Sequence, residues 1–147
     1  MPEEGVEQRS HANILRYEEM ELIIRAAAEL GISKVRLTGG EPLARLGLAE
    51  FVSLLSAVPG VDDLSMTTNA TLLARHAQAL ASAGLQRLNV SLDSLRPDRF
   101  TRITRRGRIE DVFAGVAAAR AAGLDPIKIN TVVIRGMNDD EVTDFAR

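Results

Sequence analysis

Four times along this chain a glycine and an apolar residue separate one amphipathic stretch from the next β-rich run. The junctions are Leu30-Gly31-Ile32, Pro59-Gly60-Val61, Ala83-Gly84-Leu85 and Ala122-Gly123-Leu124. Glycine adopts the left-handed conformation that closes a helix, so each junction marks a helix end and a coming strand. Strands that alternate with helices must be joined by crossovers, and crossovers build a parallel sheet. An open doubly wound sheet and a (β/α) barrel both satisfy this rhythm.

The pattern inside the strands separates the two. Strands of a doubly wound sheet are buried on both faces and read as nearly continuous apolar runs. Here Val35 and Leu37 alternate with Arg36 and Thr38, and Leu64 and Met66 with Ser65 and Thr67. Leu88, Val90 and Leu92 alternate with Asn89 and Ser91, and Ile127 and Ile129 with Lys128 and Asn130. The phase is weakest in this last run, where Thr131 and Val132 break it. Period two in a strand means one face. One face is therefore apolar, to meet helices, and the other is polar. A closed eight-stranded barrel fills its interior with branched apolar side chains. A polar lumen points instead to an open, splayed barrel around a hydrated cavity for a large polar ligand.

The periodicity predicts helices over 17–30, 48–58, 72–83 and 109–122, and strands over 34–38, 63–68, 87–92 and 127–134. A short helical or turn segment is expected over 97–103. Asn138 is expected to cap a last helix running to Arg147, and residues 1–13 read as a polar loop. The basic stretch 102–108 reads as a solvated loop.

Composition excludes several chemistries. The 147 residues include no cysteine. Disulfides, thiolate metal sites, cysteine nucleophiles and iron–sulfur clusters built from this chain alone are ruled out. His11 and His76 stand too far apart for zinc-site spacing. The net charge of −2 favours neither nucleic acid nor a membrane surface. No apolar run approaches a membrane span, and the first ten residues are polar and acidic, so a cytoplasmic protein is expected. Only Lys34 and Lys128 are lysines among 18 basic residues.

In barrel enzymes the chemistry gathers at the C-terminal ends of strands. Gly39-Gly40-Glu41, Thr68-Asn69, Asp93-Ser94 and Arg135-Gly136 stand there. Gly39 and Gly40 lack a Cβ, so a ligand can lie directly on the backbone, and Pro42 turns the chain away. Arg36 and Lys128 face one cavity. Buried cations need anionic partners. Glu41 and Asp93 could supply them, or an anionic ligand such as a nucleoside triphosphate could; spacing leaves both open.

Five motifs in order add a resemblance: residues 35–43 (VRLTGGEPL), 67–69 (TTN), 88–94 (LNVSLDS), 128–132 (KINTV) and 136–141 (GMNDDE). Gly-Gly-Glu-Pro alone resembles the radical S-adenosylmethionine (SAM) enzymes in general. Together the five resemble the radical SAM enzyme of molybdenum cofactor biosynthesis, the MoaA family of GTP 3′,8-cyclases. The resemblance runs through the whole chain. Even Met1-Pro2-Glu3-Glu4-Gly5 is similar to the stretch after the family's last cluster cysteine. It implies an open (β/α)6 barrel of the radical SAM type, with residues 1–147 a partial core domain of about four parallel strands and flanking helices.

The implied chemistry is reductive cleavage of SAM on a 4Fe–4S cluster. Hydrogen abstraction from the GTP ribose comes next, and then rearrangement to a cyclic pyranopterin precursor. By resemblance Gly39, Gly40 and Glu41 hold the methionyl amino group of SAM, with Gly40 as the contact, and Ser91 adds a second SAM contact. Arg36, Thr67 and Lys128 would contact GTP, the two cations supplying charge in a water-poor cavity. No nucleic acid or membrane partner is implied; the full-length family suggests a homodimer.

The departures are large. The family's three-cysteine loop and first strand would precede Met1, and its last strand and second cluster would come after Arg147. Without thiolates there is no cluster and no radical. The run 35–38 also lacks a pairing partner on one side, an exposed edge. The expectation is an internal piece of such an enzyme, inactive alone. A non-catalytic nucleotide- or partner-binding remnant, or a radical SAM enzyme with another substrate, are the rival readings.

Overall fold

A computed structural model describes residues 14–146. The polar lead 1–13, with His11 and the Met1–Gly5 resemblance, lies outside the described residues, as does Arg147. The order of elements is α1 (Tyr17–Glu29), β1 (Lys34–Leu37), α2 (Leu48–Ser56), β2 (Asp63–Thr68), α3 (Leu73–Ser82), β3 (Arg87–Ser91), α4 (Pro97–Thr104), α5 (Ile109–Ala121), β4 (Ile127–Asn130) and α6 (Val142–Phe145). Short 3-10 turns cover Pro42–Ala44 and Asp139–Glu141.

The four strands form one parallel sheet in the order β1-β2-β3-β4. Spatial order matches chain order without reversal. A doubly wound sheet reverses at a switch point, whereas a barrel adds each strand beside the last. The apolar face of the sheet, including Leu64, Met66, Leu88 and Val90, joins Val52, Leu55, Leu73, Leu80 and Val112 from the helices in one buried core. Each junction glycine has a positive φ: Gly31 91°, Gly60 90°, Gly84 103° and Gly123 84°.

Helices α3 and α5 approach closely because Gly115 has no side chain. A Cβ there would stand 2.5 Å from the Ala70 carbonyl oxygen and 3.0 Å from Leu73 Cβ. Packing thins towards β1, which pairs with β2 on one side only among the described residues. No residue of α1 is fully buried, and Leu22 and Ile23 are exposed. That helix is docked chiefly by Tyr17. Its ring stacks on Phe51 at 4.3 Å, lies under the Arg45 guanidinium at 4.2 Å, and its hydroxyl donates to the Leu46 carbonyl.

Two expectations need correction. The last strand, expected over 127–134, ends at Asn130. Beyond it, side chains take the place of a ladder. Thr131 Oγ1 donates to the Leu92 carbonyl at 2.8 Å, and the Val132 amide donates to Asp93 Oδ1 at 2.8 Å. Asn138 precedes the last 3-10 turn, but its side chain does not cap it. Its Oδ1 accepts from the Ile134 amide, and its Nδ2 donates to the carbonyls of Asp93 and Val132. The segment 97–103 forms a helix, α4.

Candidate functional site

The parallel register places the predicted side chains. Arg36 lies opposite Ser65, and Ser65 opposite Arg87. Thr67 lies opposite Asn89, Asn89 opposite Lys128, and Ser91 opposite Asn130. All belong to one phase of the pleat, so Arg36, Thr67, Ser91 and Lys128 share the polar face. At its centre Ser65 and Asn89 are buried; Thr67 is half-buried, and Arg36, Ser91 and Lys128 are exposed. Arg36, Ser65, Asn89, Pro126 and Lys128 border one small hollow of about 20 Å³, with Arg87 at its side.

The expected partners of the two cations do something else. Glu41 turns its carboxylate back to the protein and accepts from Thr68 Oγ1 at 2.6 Å, the Asn69 amide at 2.8 Å and the Leu43 amide at 3.1 Å. Asp93 accepts from the Val132 amide. Among the described residues neither acid meets Arg36 or Lys128, and those two side chains make no ion pair or hydrogen bond. Among the described residues, the one cation of this face with an acid partner is Arg87, which grips Asp63 with two nitrogens. Nor is the setting water-poor: exposure lets water solvate both Arg36 and Lys128, so no internal acid is required.

At the rim, Gly39 has φ +144°, and neither Gly39 nor Gly40 has any atom within 4 Å of where a Cβ would stand. The backbone there is open to a ligand. Glu41, with two hydrogen bonds to the end of β2, holds that loop in place.

Sequence reasoning missed a second carboxylate of this kind. Glu141 is completely buried. It accepts from Ser94 Oγ at 2.9 and 3.0 Å, the Leu95 amide at 2.7 Å and Arg99 Nη1 at 2.9 Å. Burial pushes its pKa up, but the Leu95 amide, the Ser94 hydroxyl and Arg99 together outweigh that and hold it below the ordinary value of 4.5. Arg99 also pairs with Asp140, which Arg96 approaches at 3.3 Å. The hydrogen bonds to Asp140 and Glu141 raise the Arg99 pKa. Ser94 and Glu141 both stand inside motifs that carry the family resemblance, yet 47 residues separate them and no local pattern links them.

A polar strand face with an open glycine pair at its C-terminal rim is joined by a family match. The model of the radical SAM superfamily fits residues 2–147. The chain belongs to the radical SAM superfamily. Curated relatives of this radical SAM chain include GTP 3′,8-cyclases of Geobacter sulfurreducens (55% identical over 147 residues), Pelotomaculum thermopropionicum (54% over 146) and Heliobacterium modesticaldum (53% over 147). The alignments cover 99–100% of this chain but 45% of each relative, so the chain spans under half their length.

The superfamily implies SAM and a 4Fe–4S cluster. Residues suited to an amino-acid moiety are present: an unobstructed backbone at Gly39-Gly40 and an exposed hydroxyl at Ser91. The cluster does not fit this chain, which has no thiolate to bind iron. Among the described residues no three His, Asp or Glu side chains gather as a metal site, and no helix is long and apolar enough to cross a membrane.

Proposed function

We propose that this chain is the SAM- and GTP-binding portion of a GTP 3′,8-cyclase, with residues 1–147 forming part of its radical SAM core domain. The observation that carries the reading is the convergence of Arg36, Thr67 and Lys128 on one strand face, where Arg36 and Lys128, like Lys34 at its edge, have no acid partner among the described residues. A triphosphate would offer both cations an anionic partner in place of the water that solvates them. The planar guanidinium of Arg36 suits bidentate contact with phosphate oxygens, and the ammonium of Lys128 acts as a point charge. Thr67 both donates and accepts, which suits a ribose or base.

The rim takes the cofactor. The open backbone of Gly39 and Gly40 would hold the methionyl amino group of SAM, with Gly40 as the contact. Glu41 fixes that loop to β2, and Ser91 adds a hydroxyl from the end of β3. These residues bind and orient. The cluster's electron transfer to SAM needs cysteine thiolates that this chain does not carry, so no redox step belongs to its own residues. A cytoplasmic setting accords with such a reaction.

The test is a chimera in which these 147 residues replace the matching stretch of the full-length Geobacter sulfurreducens enzyme. Calorimetry should show GTP and SAM binding, and Arg36→Ala should weaken GTP by about 10- to 100-fold, a loss of roughly 1.4–2.8 kcal/mol. Unchanged GTP affinity would remove the reading in favour of a radical SAM enzyme with another substrate. The lack of cysteine favours a further reading for the chain by itself: a binder without catalysis. No heat with GTP or SAM on the isolated chain would exclude the nucleotide-binding form of that reading and leave only a partner-binding one.

A further inference from the structure

Asn89 stands at the centre of the polar strand face and is only 8% exposed, yet its carboxamide makes no hydrogen bond among the described residues. Buried amides nearly always find a partner, because water stripped from them must be replaced. The other polar groups around the hollow are occupied. Ser65 Oγ donates to the Val35 carbonyl at 3.3 Å, and Arg87 holds Asp63. The Asn89 amide is thus left facing a hollow that two unpaired cations, Arg36 and Lys128, also border.

Position and volume define what can meet it. Asn89 lies opposite Thr67 on one side and Lys128 on the other, each about 4.8 Å away across the ladder. The hollow holds about 20 Å³, which is room for about one water-sized group. It admits a hydroxyl and excludes a purine ring. A carboxamide also presents a donor and an acceptor side by side. A phosphate oxygen only accepts, so it would set negative charge against Oδ1. Two neighbouring hydroxyls satisfy both atoms, one donating to Oδ1 and the other accepting from Nδ2. Beside a lysine that draws phosphate, the sugar is the next part of a nucleotide.

We propose that Asn89 is a specificity-determining residue that grips the ribose hydroxyls of GTP, between Thr67 and the phosphate-holding Lys128. The proposal rests on the reading that this face receives GTP. SAM carries a ribose too, but its expected contacts, Gly39, Gly40 and Ser91, stand at the rim. Asn89 is two residues deeper on β3, in the row of Lys128. The consequence is selection between nucleotides. A deoxynucleotide leaves the buried amide unpaired, and a site built this way rejects it.

The experiment uses the full-length chimera and calorimetry with GTP, 2′-deoxy-GTP, 3′-deoxy-GTP and SAM. The parent should bind at least one deoxy analogue about 10-fold more weakly than GTP. Asn89→Leu keeps most of the volume and breaks no internal hydrogen bond. It should weaken GTP by about 10-fold, leave that deoxy analogue and SAM within about 2-fold, and so erase the preference. Asn89→Ala gives the same comparison should the leucine not be accommodated. Equal parent affinities for all three guanine nucleotides overturn the proposal; the hollow then holds no more than water. A preference that survives in the variant overturns it too, as does a loss for SAM in place of GTP, which would assign the amide to the cofactor's ribose. Failure of the underlying reading looks different: the parent gives no heat with GTP, or Arg36→Ala leaves GTP affinity unchanged.

Discussion

Glu41 and Glu141 are built alike and used differently. Each carboxylate accepts a hydroxyl and a backbone amide at the C-terminal end of a strand: Thr68 and Asn69 after β2, Ser94 and Leu95 after β3. Glu41 is half-buried and pairs with no cation among the described residues; its third donor is the Leu43 amide. Glu141 is sealed from water and holds Arg99. One acid joins the end of β1 to the end of β2; the other joins the end of β3 to the segment after β4. The first lies beside an open glycine loop that a ligand can reach. The second lies behind the rim. The same device is left accessible beside the open glycine pair and enclosed with a countercharge behind the rim.

This contrast can be broken by experiment. In the chimera, Glu141→Ala should cost about 2–4 kcal/mol in urea unfolding, since it takes the acceptor from the buried Ser94 hydroxyl and the Leu95 amide while Arg99 keeps Asp140. Glu41→Ala should cost about 1–2 kcal/mol, because water can reach the freed donors. Equal costs, or a larger one at Glu41, would sink the distinction. The two clamps share no partner, so the double variant should be additive within about 0.5 kcal/mol; stronger coupling would mean one clamp rather than two.

Acid gives the finest discrimination. The folded pKa of Glu141 lies below its ordinary value of 4.5, so its charge stabilises the fold fully above about pH 4.5. That contribution is lost as pH falls through the folded value. The stability gap between the parent and Glu141→Gln should narrow below about pH 4.5 in thermal melts. A gap that stays constant into acid would show that the charge of Glu141 is not what matters.

The features legible in the sequence were those that depend on neighbours. A pleat has period two whatever the rest of the chain does, so the alternation around Arg36, Thr67, Ser91 and Lys128 placed them on one face correctly. The junction glycines mark helix ends by their own conformational freedom. The failures involve partners far away. The strand expected to run to Ile134 stops at Asn130 because Leu92 and Asp93, 39 residues earlier, bind Thr131 and Val132. Asn138 carries the residue type of a helix cap but finds better partners in Asp93 and Val132. Glu41 and Asp93 match the cations by sign, whereas nearby amides and hydroxyls satisfy both acids first. Glu141 needed knowledge of where a loop 47 residues away would fold.

Gly115 carries a consequence of its own. It lies far from the polar face, on a helix whose C-terminal end leads directly into β4. With a hydrogen atom as its whole side chain, it lets α5 settle onto Ala70 and Leu73. A methyl group there would prise α5 outward and carry β4 with it, moving Lys128 relative to Arg36. The spacing of two cations on the polar face is therefore tied to packing on the opposite side of the sheet, at the smallest substituent a residue can have.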